Sequence, residues 1–439
     1  MNVYVSSTAR NRAYYTRSLE KILLPMLFFL IPFYEKPCVL FFDLDLFGIS
    51  FVFKPVYLAA AAAFAVLLLD AGFAGRIKDV LSPNKSQLFM LLLLLMFLMV
   101  PEFLGNNISG KRTFIIIVFN SLLVFLIPLL IREESDIVTA LVSFVLGTMI
   151  YSSAMLVTMK GLRTLHEGRY GLGLSFSFFM CIFMVVYGIC RNRKILARTF
   201  ILFTAVNIML LVLDRSRSAW VGIFSGFSLL AIYALYDFFR YGNTISRRLL
   251  MVVLCVAVYF TAAVSTSNFA KYEFRSLYKW AGKDLTSTFH PGDHPIDPEV
   301  KKIHSTVLRR FLFFMRSDRT VPWRIVFTEY FPGLLFAGRG VNFDVYNGIH
   351  SVYLKIITSA GMTGFLTFVM FIIFIFRALA GKMRDTRDSV IKCFYLAIAC
   401  STVNWLVHGA AAMALIESSI WMVLGLALVV LDGKNGLQA

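Results

Sequence analysis

Apolar residues in this chain do not alternate with polar ones; they run in blocks of 15 to 22 residues separated by short basic segments. Each block matches the roughly 20 apolar residues that a helix needs to cross a bilayer. The pattern predicts twelve spans, at 22–40, 55–73, 87–104, 113–131, 137–158, 173–190, 199–213, 219–239, 249–265, 359–376, 393–409 and 414–431. Pro25, Pro32 and Glu35 interrupt the first of them. That span is not expected to be a cleaved signal peptide, because its polar lead is long, no small-residue cleavage site follows it and many spans come after.

Composition narrows the class. Of 439 residues 59% are hydrophobic and only 15% charged, with 44 Phe and a mean hydropathy of +0.75. A soluble domain carries roughly 25% charged residues, so one water-soluble core cannot absorb this surplus. A cytosolic enzyme, a disulfide scaffold and a disordered chain are excluded. The net charge of +18 sits in short clusters between apolar blocks, with no polar body to carry a nucleic-acid-binding face. Of six cysteines, Cys181, Cys190, Cys255, Cys393 and Cys400 lie in or at the ends of apolar blocks, and Cys38 lies in a loop. They lack the spacing of a disulfide or metal framework and read as small buried hydrophobes.

Lys and Arg in short loops orient a membrane protein. One set of connecting segments holds 21 of them, from Arg10, Arg12, Arg17 and Lys21 through Arg76, Lys78, Lys85, Arg132 and the 191–198, 240–248 and 377–392 clusters to Lys434; the short loops of the other set hold 9. Both termini are therefore expected in the cytoplasm. Residues 266–350, the one long polar stretch, then face the periplasm, giving three regions: nine spans in 1–265, a loop domain in 266–358, and three spans with a C-terminal tail in 359–439. The long stretch has 12 Lys and Arg against 8 Asp and Glu. Within it, residues 299–316 place Val300, Ile303, Val307, Phe311 and Met315 at helical spacing, with Lys301, Lys302, Arg309 and Arg310 between them. This is a basic amphipathic helix, suited either to an anionic membrane face or to the top of the bundle. His290, Asp293, His294, Asp297 and Glu299 lie close in sequence, but Pro291, Pro295 and Pro298 with Gly292 make the segment a turn-rich loop, and no metal site is expected there.

Ionisable residues at bilayer depth mark transport and proton pathways. Here the main polar interruptions are Asn207, Asn404, His408 and Glu417, so chemistry is expected at the periplasmic helix ends instead. Asp214-Arg215-Ser216-Arg217-Ser218-Ala219-Trp220 joins spans seven and eight on the side where positive charge is scarce. Arginine beside a capped helix N-terminus forms a cradle for phosphate. Further on come Trp323-Arg324, Gly338-Arg339-Gly340 with Phe343, His350-Ser351-Val352-Tyr353-Leu354 and Gly361-Met362-Thr363-Gly364. Gly-x-Gly lacks the third glycine of a dinucleotide fingerprint and marks a turn. A surface imidazole, with an ordinary pKa near ~6.5, is a proton acceptor at neutral pH.

In order and spacing these segments resemble the O-antigen ligase/polymerase superfamily, bacterial proteins that transfer glycans from a polyprenyl-diphosphate carrier. Ser216-Arg217-Ser218-Ala219-Trp220 is similar to that family's segment opening a span, Arg324 to its arginine near a Trp, Gly338-x-Gly340 with Phe343 to its turn, and His350-x-x-Tyr353-Leu354 with Gly361-x-x-Gly364 to its His-Asn-x-Tyr-Leu…Gly-x-x-Gly segment. Ser351 stands where the family has Asn, and Arg169-Tyr170-Gly171 lacks the Pro-Asn that follows in the family. The likeness covers mainly residues 160–431. It implies an all-α polytopic fold of the type C glycosyltransferase (GT-C) class, with twelve transmembrane helices and one large periplasmic loop between spans nine and ten. It also implies inverting transfer from an undecaprenyl-diphosphate-linked glycan, without metal, cofactor or nucleic acid. Arg217 and Arg324, then Arg215, and then Arg169 and Arg163, would hold the donor diphosphate. His350 would accept the acceptor hydroxyl's proton, and Lys301, Lys302, Arg309 and Arg310 would meet the acceptor or the membrane surface. The expected activity is an O-antigen ligase acting on lipid A-core at the inner membrane. A polymerase of the same superfamily is the alternative, and a lipid-linked oligosaccharide transporter is a weaker one.

Overall fold

The computed structural model describes residues 7–33, 42–46, 49–70, 72–104, 108–158, 171–214, 217–242, 244–266, 326, 331–336, 338–340, 351–410 and 417–430. Within them lie helices α1 (Ser7–Leu30), α2 (Pro55–Leu68), α3 (Phe73–Leu104), α4 (Ile108–Leu130), α5 (Glu134–Thr158) and α6 (Gly171–Cys190). They continue as α7 (Lys194–Asp214), α8 (Arg217–Tyr241), α9 (Thr244–Thr266), α10 (Val352–Asp385), α11 (Ser389–Gly409) and α12 (Ser418–Leu428). One short antiparallel ladder joins β1 (Phe42–Leu46) to β2 (Ile49–Phe53), with Leu44 opposite Phe51.

Each predicted apolar block is helical over at least part of its length. Among the described residues eight helices are long and apolar enough to cross a membrane, namely α3 to α8, α10 and α11, while α2 and α12 are shorter apolar helices. The molecule is a polytopic membrane protein. Several boundaries differ from the hydropathy pattern, and the differences share a cause. Block 22–40 is displaced: α1 starts at Ser7, so Arg10, Arg12, Arg17 and Lys21 are helical and not a polar lead, and it stops at Leu30. Helix α3 begins at Phe73, taking Arg76, Lys78 and Lys85 into its first turns, and α10 begins at Val352 instead of 359. Charged residues end an apolar count without ending a helix, provided their charges find partners.

Those partners cluster at one end of the bundle. The Glu20 carboxylate, only 1% exposed, accepts hydrogen bonds from Arg76 at 3.1 Å and Arg132 at 2.7 Å and pairs with Arg17 at 3.5 Å. Asp70 pairs with Arg76 and Arg132. Arg17 reaches on to Asp136 at 2.9 Å and Glu133 at 3.1 Å. One network thus ties α1, α2, α3, α4 and α5. Nearby, Arg191 in the α6–α7 turn forks onto Glu134 with bonds of 2.9 and 2.7 Å and also pairs with Asp388, the N-cap of α11. Partial burial opposes the Arg191 charge, but these two carboxylates outweigh it and raise its pKa. At the same end Lys382 donates to the Ala427 and Val429 carbonyls at 2.7 and 2.9 Å, and Asn84 donates to Leu428. They satisfy carbonyls that the end of α12 leaves open.

Helix α6 is the axial element, with every residue from Gly171 to Gly188 buried. It is apolar all round, the pattern of a helix packed on every side. It is tied to α7 by Asn207, which donates to Ser177 Oγ at 2.9 Å, and by Thr204 on the Cys181 thiol. Asn207, read above as an interruption of a span, is a packing bond.

Replacing Glu20 by Ala leaves three arginines facing one another without their shared carboxylate. Loss of one partner from a buried ion pair costs about 3–5 kcal/mol. Thermal unfolding of Glu20→Ala in detergent is expected to show a clearly lower midpoint than wild type, with Glu20→Asp between the two.

Candidate functional site

The end opposite the ion pairs is built on the packing of α8 against α11. The His408 ring hydrogen-bonds to the backbone of Ser218. One turn along, a Cβ at Gly222 would stand 2.5 Å from Asn404 Oδ1; another turn along, one at Gly226 would stand 2.6 Å from the Cys400 carbonyl. Ser218, Gly222 and Gly226 therefore descend α8 four residues at a time while His408, Asn404 and Cys400 descend α11, antiparallel and in register. Small residues at this spacing let membrane helices approach closely enough for backbone contact. Arg217, the first residue of α8, consequently stands beside the C-terminal end of α11.

Helix α10 starts at the same place. Ser351 is its N-cap, 3% exposed, and accepts from the Leu354 N–H at 3.5 Å. Serine thus occupies a capping position that Asn also favours. Tyr353 donates from its hydroxyl to the Leu406 carbonyl at 2.5 Å, and a Cβ at Gly409 would lie 3.3 Å from Val352. Position 350 immediately precedes this cap.

The Gly338–Gly340 segment completes the arrangement. Helix α10 breaks at Gly361, whose φ of 77° and ψ of −178° are open only to glycine. The carbonyls of Thr358 and Ser359 just before the break accept from the Arg339 and Gly340 N–H groups at 2.7 and 3.3 Å. Gly338 lies so close that a Cβ would be 1.9 Å from the Ser359 oxygen. Thr363 donates to the Phe336 carbonyl at 2.8 Å. The two glycine motifs are thus halves of one contact: Gly361 opens the helix, and Gly338 and Gly340 fill the opening. Arg339, between them, is exposed.

Two residues that the sequence reading set aside belong here. Asn404 and His408 lie one turn apart on α11 and are 0% and 1% exposed. Among the described residues, both amide atoms of Asn404, His408 Nδ1 and Trp405 Nε1 have no hydrogen-bond partner. Buried polar atoms are nearly always paired, so four orphans on adjacent turns single out this spot. The signal that could have found them is Gly222-x-x-x-Gly226, the close-packing motif of membrane helices.

Of the candidate residues, Arg217 is described by its backbone alone. Arg163, Arg169, Arg215, Lys301, Lys302, Arg309, Arg310, Arg324 and His350 lie outside the described residues, as do the 299–316 helix and the His290–Glu299 cluster. Among the described residues no three His, Cys, Asp or Glu side chains come together to hold a metal ion. No family model matches the sequence, and neither does any curated protein.

Gly361→Ala is expected to cost about 1–3 kcal/mol, because alanine cannot hold this backbone conformation without strain. Gly381→Ala, where a Cβ would meet nothing within 4 Å, is expected to be neutral or slightly stabilising. Parallel thermal unfolding of the two variants checks the pair. Gly226→Leu is expected to push α8 from α11 and to lower the midpoint further still, since its side chain meets both the Cys400 backbone and Phe179.

Proposed function

We propose that this protein is a glycosyltransferase of the O-antigen ligase type. It moves a polysaccharide from undecaprenyl diphosphate to lipid A-core on the periplasmic face of the bacterial inner membrane. The fold in this reading is a twelve-span GT-C-like bundle with both termini in the cytoplasm. The observation that carries the reading is a convergence. The N-termini of α8 and α10 meet at the C-terminal end of α11, and the Gly338–Gly340 segment packs on α10 at its break two turns further on. The α8 start at Arg217 and exposed Arg339 therefore belong to one end of the bundle, and His350 directly precedes the α10 N-cap in sequence. Two helix N-termini and guanidinium groups favour an anion. The apolar helices around them suit a polyprenyl tail.

In the reaction, the bond between the donor sugar's anomeric carbon and the diphosphate oxygen breaks, and a bond from that carbon to the acceptor hydroxyl oxygen forms with inversion. His350 takes the hydroxyl proton, and undecaprenyl diphosphate leaves. Arg217 and Arg324, with Arg215 behind them and Arg163 and Arg169 from the earlier loop, neutralise the charge growing on the leaving diphosphate. Charge-assisted hydrogen bonds of this kind contribute roughly 1.5–3 kcal/mol each. Lys301, Lys302, Arg309 and Arg310 meet the phosphate-rich acceptor or the anionic bilayer.

Reconstitution with a lipid-linked glycan, offering lipid A-core and a second lipid-linked glycan separately, tests the reading. Transfer to lipid A-core is the expected result, whereas lengthening of the lipid-linked glycan identifies the polymerase and no transfer to either overturns the enzyme. His350→Ala is expected to lower turnover roughly 10²–10⁴-fold in a protein that still inserts. Arg217→Lys keeps the charge but loses the planar fork, so donor use is expected to fall sharply; unchanged donor affinity and turnover would make Arg217 a membrane anchor.

A further inference from the structure

A cleft of about 650 Å³ lies between α6, α7 and α9, in the half of the bundle nearer the ion-pair networks. Its floor is Ile182, Val185 and Ile208, all buried, and its rim carries exposed Ile201 and Met251. The Thr204 hydroxyl in its wall is already committed to the Phe200 carbonyl. The interior therefore offers little to a sugar or a nucleotide and much to a hydrocarbon chain. Along α9 the cleft extends from Arg247 to Tyr259, about 18 Å at 1.5 Å per residue, which is the reach of one acyl chain.

Charge sits at only one end of the cleft. Arg247 and Arg248, in the second turn of α9, line the mouth and are exposed. Of the other arginines at this end, Arg17, Arg76, Arg132 and Arg191 are each bound to carboxylates, while Arg193 and Arg198, which have no ion pair among the described residues, do not line the cleft. Among the described residues Arg247 has no ion pair, and Arg248 donates to the Ile189 carbonyl at 3.3 Å and to the Cys190 side chain. Two guanidiniums with no counter-anion among the described residues thus stand where an apolar cleft meets the level of the charged side chains. That matches one class of ligand, a phosphate carrying a hydrocarbon chain.

We propose that this cleft binds one anionic phospholipid, with an acyl chain along α9 and its phosphate against Arg247 and Arg248. The site is separate from the one at the α8 and α10 N-termini and does not depend on the transferase reading. A lipid there joins α7 and α9 across the face of α6 and supplies a counter-charge that the described residues do not.

Native mass spectrometry of the full-length protein, offered dioleoyl phosphatidylglycerol and dioleoyl phosphatidylcholine in equal amounts, tests this. Wild type is expected to retain the glycerol lipid roughly tenfold better. Arg247→Gln/Arg248→Gln is expected to bring the two lipids level. Ala205→Trp fills the cleft, leaves every charge in place and is expected to lower phosphatidylglycerol retention as well; it carries the test if the double variant does not fold. Equal retention of both lipids by wild type, or phosphatidylglycerol retention unchanged by either variant, overturns the proposal. So does thermal protection by inorganic phosphate alone equal to that by phosphatidylglycerol, which would make the site one for a free anion.

Discussion

The close approach of α8 to α11 is the constraint on which the rest of the site depends. Inside a bilayer apolar helices gain little by leaving lipid for one another, so association rests on close packing and shared polar contacts. Here Gly222 and Gly226 remove the side chains that would hold the helices apart, and the His408 ring locks the top of the pair to the Ser218 backbone. Helix α11 then serves as a common ruler. It receives α10 through Tyr353 on the Leu406 carbonyl and through Phe368 edge-on to Trp405 at 5.8 Å. Two helix starts that are 135 residues apart in sequence are brought to one level in this way.

The two ends of the bundle use charge differently. At one end each of Arg17, Arg76, Arg132 and Arg191 meets carboxylates, and the networks cross from helix to helix. These charges hold the bundle together and have little left to offer a ligand. At the other end Asn404, Trp405 and His408 carry buried amide, indole and imidazole atoms with no partner among the described residues. In the proposed function a site for a charged ligand leaves groups unsatisfied until the ligand arrives, and a rigid scaffold elsewhere carries that cost. The Glu20 network and the fully packed α6 form that scaffold.

Much of this architecture was legible in the chain. The apolar blocks located the helices because bilayer thickness imposes a length that composition reveals. The glycine pairs at 338/340 and 361/364 were visible as motifs. Their meaning was not, since sequence does not tell that Gly361 takes a positive φ or that Gly338 touches Ser359. Helix ends were misjudged wherever charge is neutralised at long range: Arg17 and Arg76 looked like loop residues because their carboxylates come from other helices. The β1–β2 ladder was hidden by its neighbours. Phe42-Asp43-Leu44-Asp45-Leu46 alternates with the period of a strand, but it sits between two long apolar blocks whose composition suits helix. Asn404 and His408 look like mere interruptions in the sequence, because a polar residue in a span gains meaning only from what faces it.

The break in α10 also sets a depth. Unbroken, 34 residues would run about 51 Å, far more than the roughly 30 Å of hydrocarbon in a bilayer. Gly361 divides the helix into a short lead, Val352–Ala360, and a 24-residue remainder from Met362 to Asp385 that ends on Lys382 and Arg384. The remainder has the length to cross with some tilt, and its basic end anchors it at one surface. The lead and the Gly338–Gly340 segment are then held at the other surface at a height that the remainder determines. Hydrophobic mismatch acts directly on this height. In a thicker membrane the remainder stands more upright and sinks the glycine contact towards the acyl chains; in a thinner one it leans, which holds the contact near the surface. Bilayer thickness thereby becomes a variable to which this end of the molecule responds.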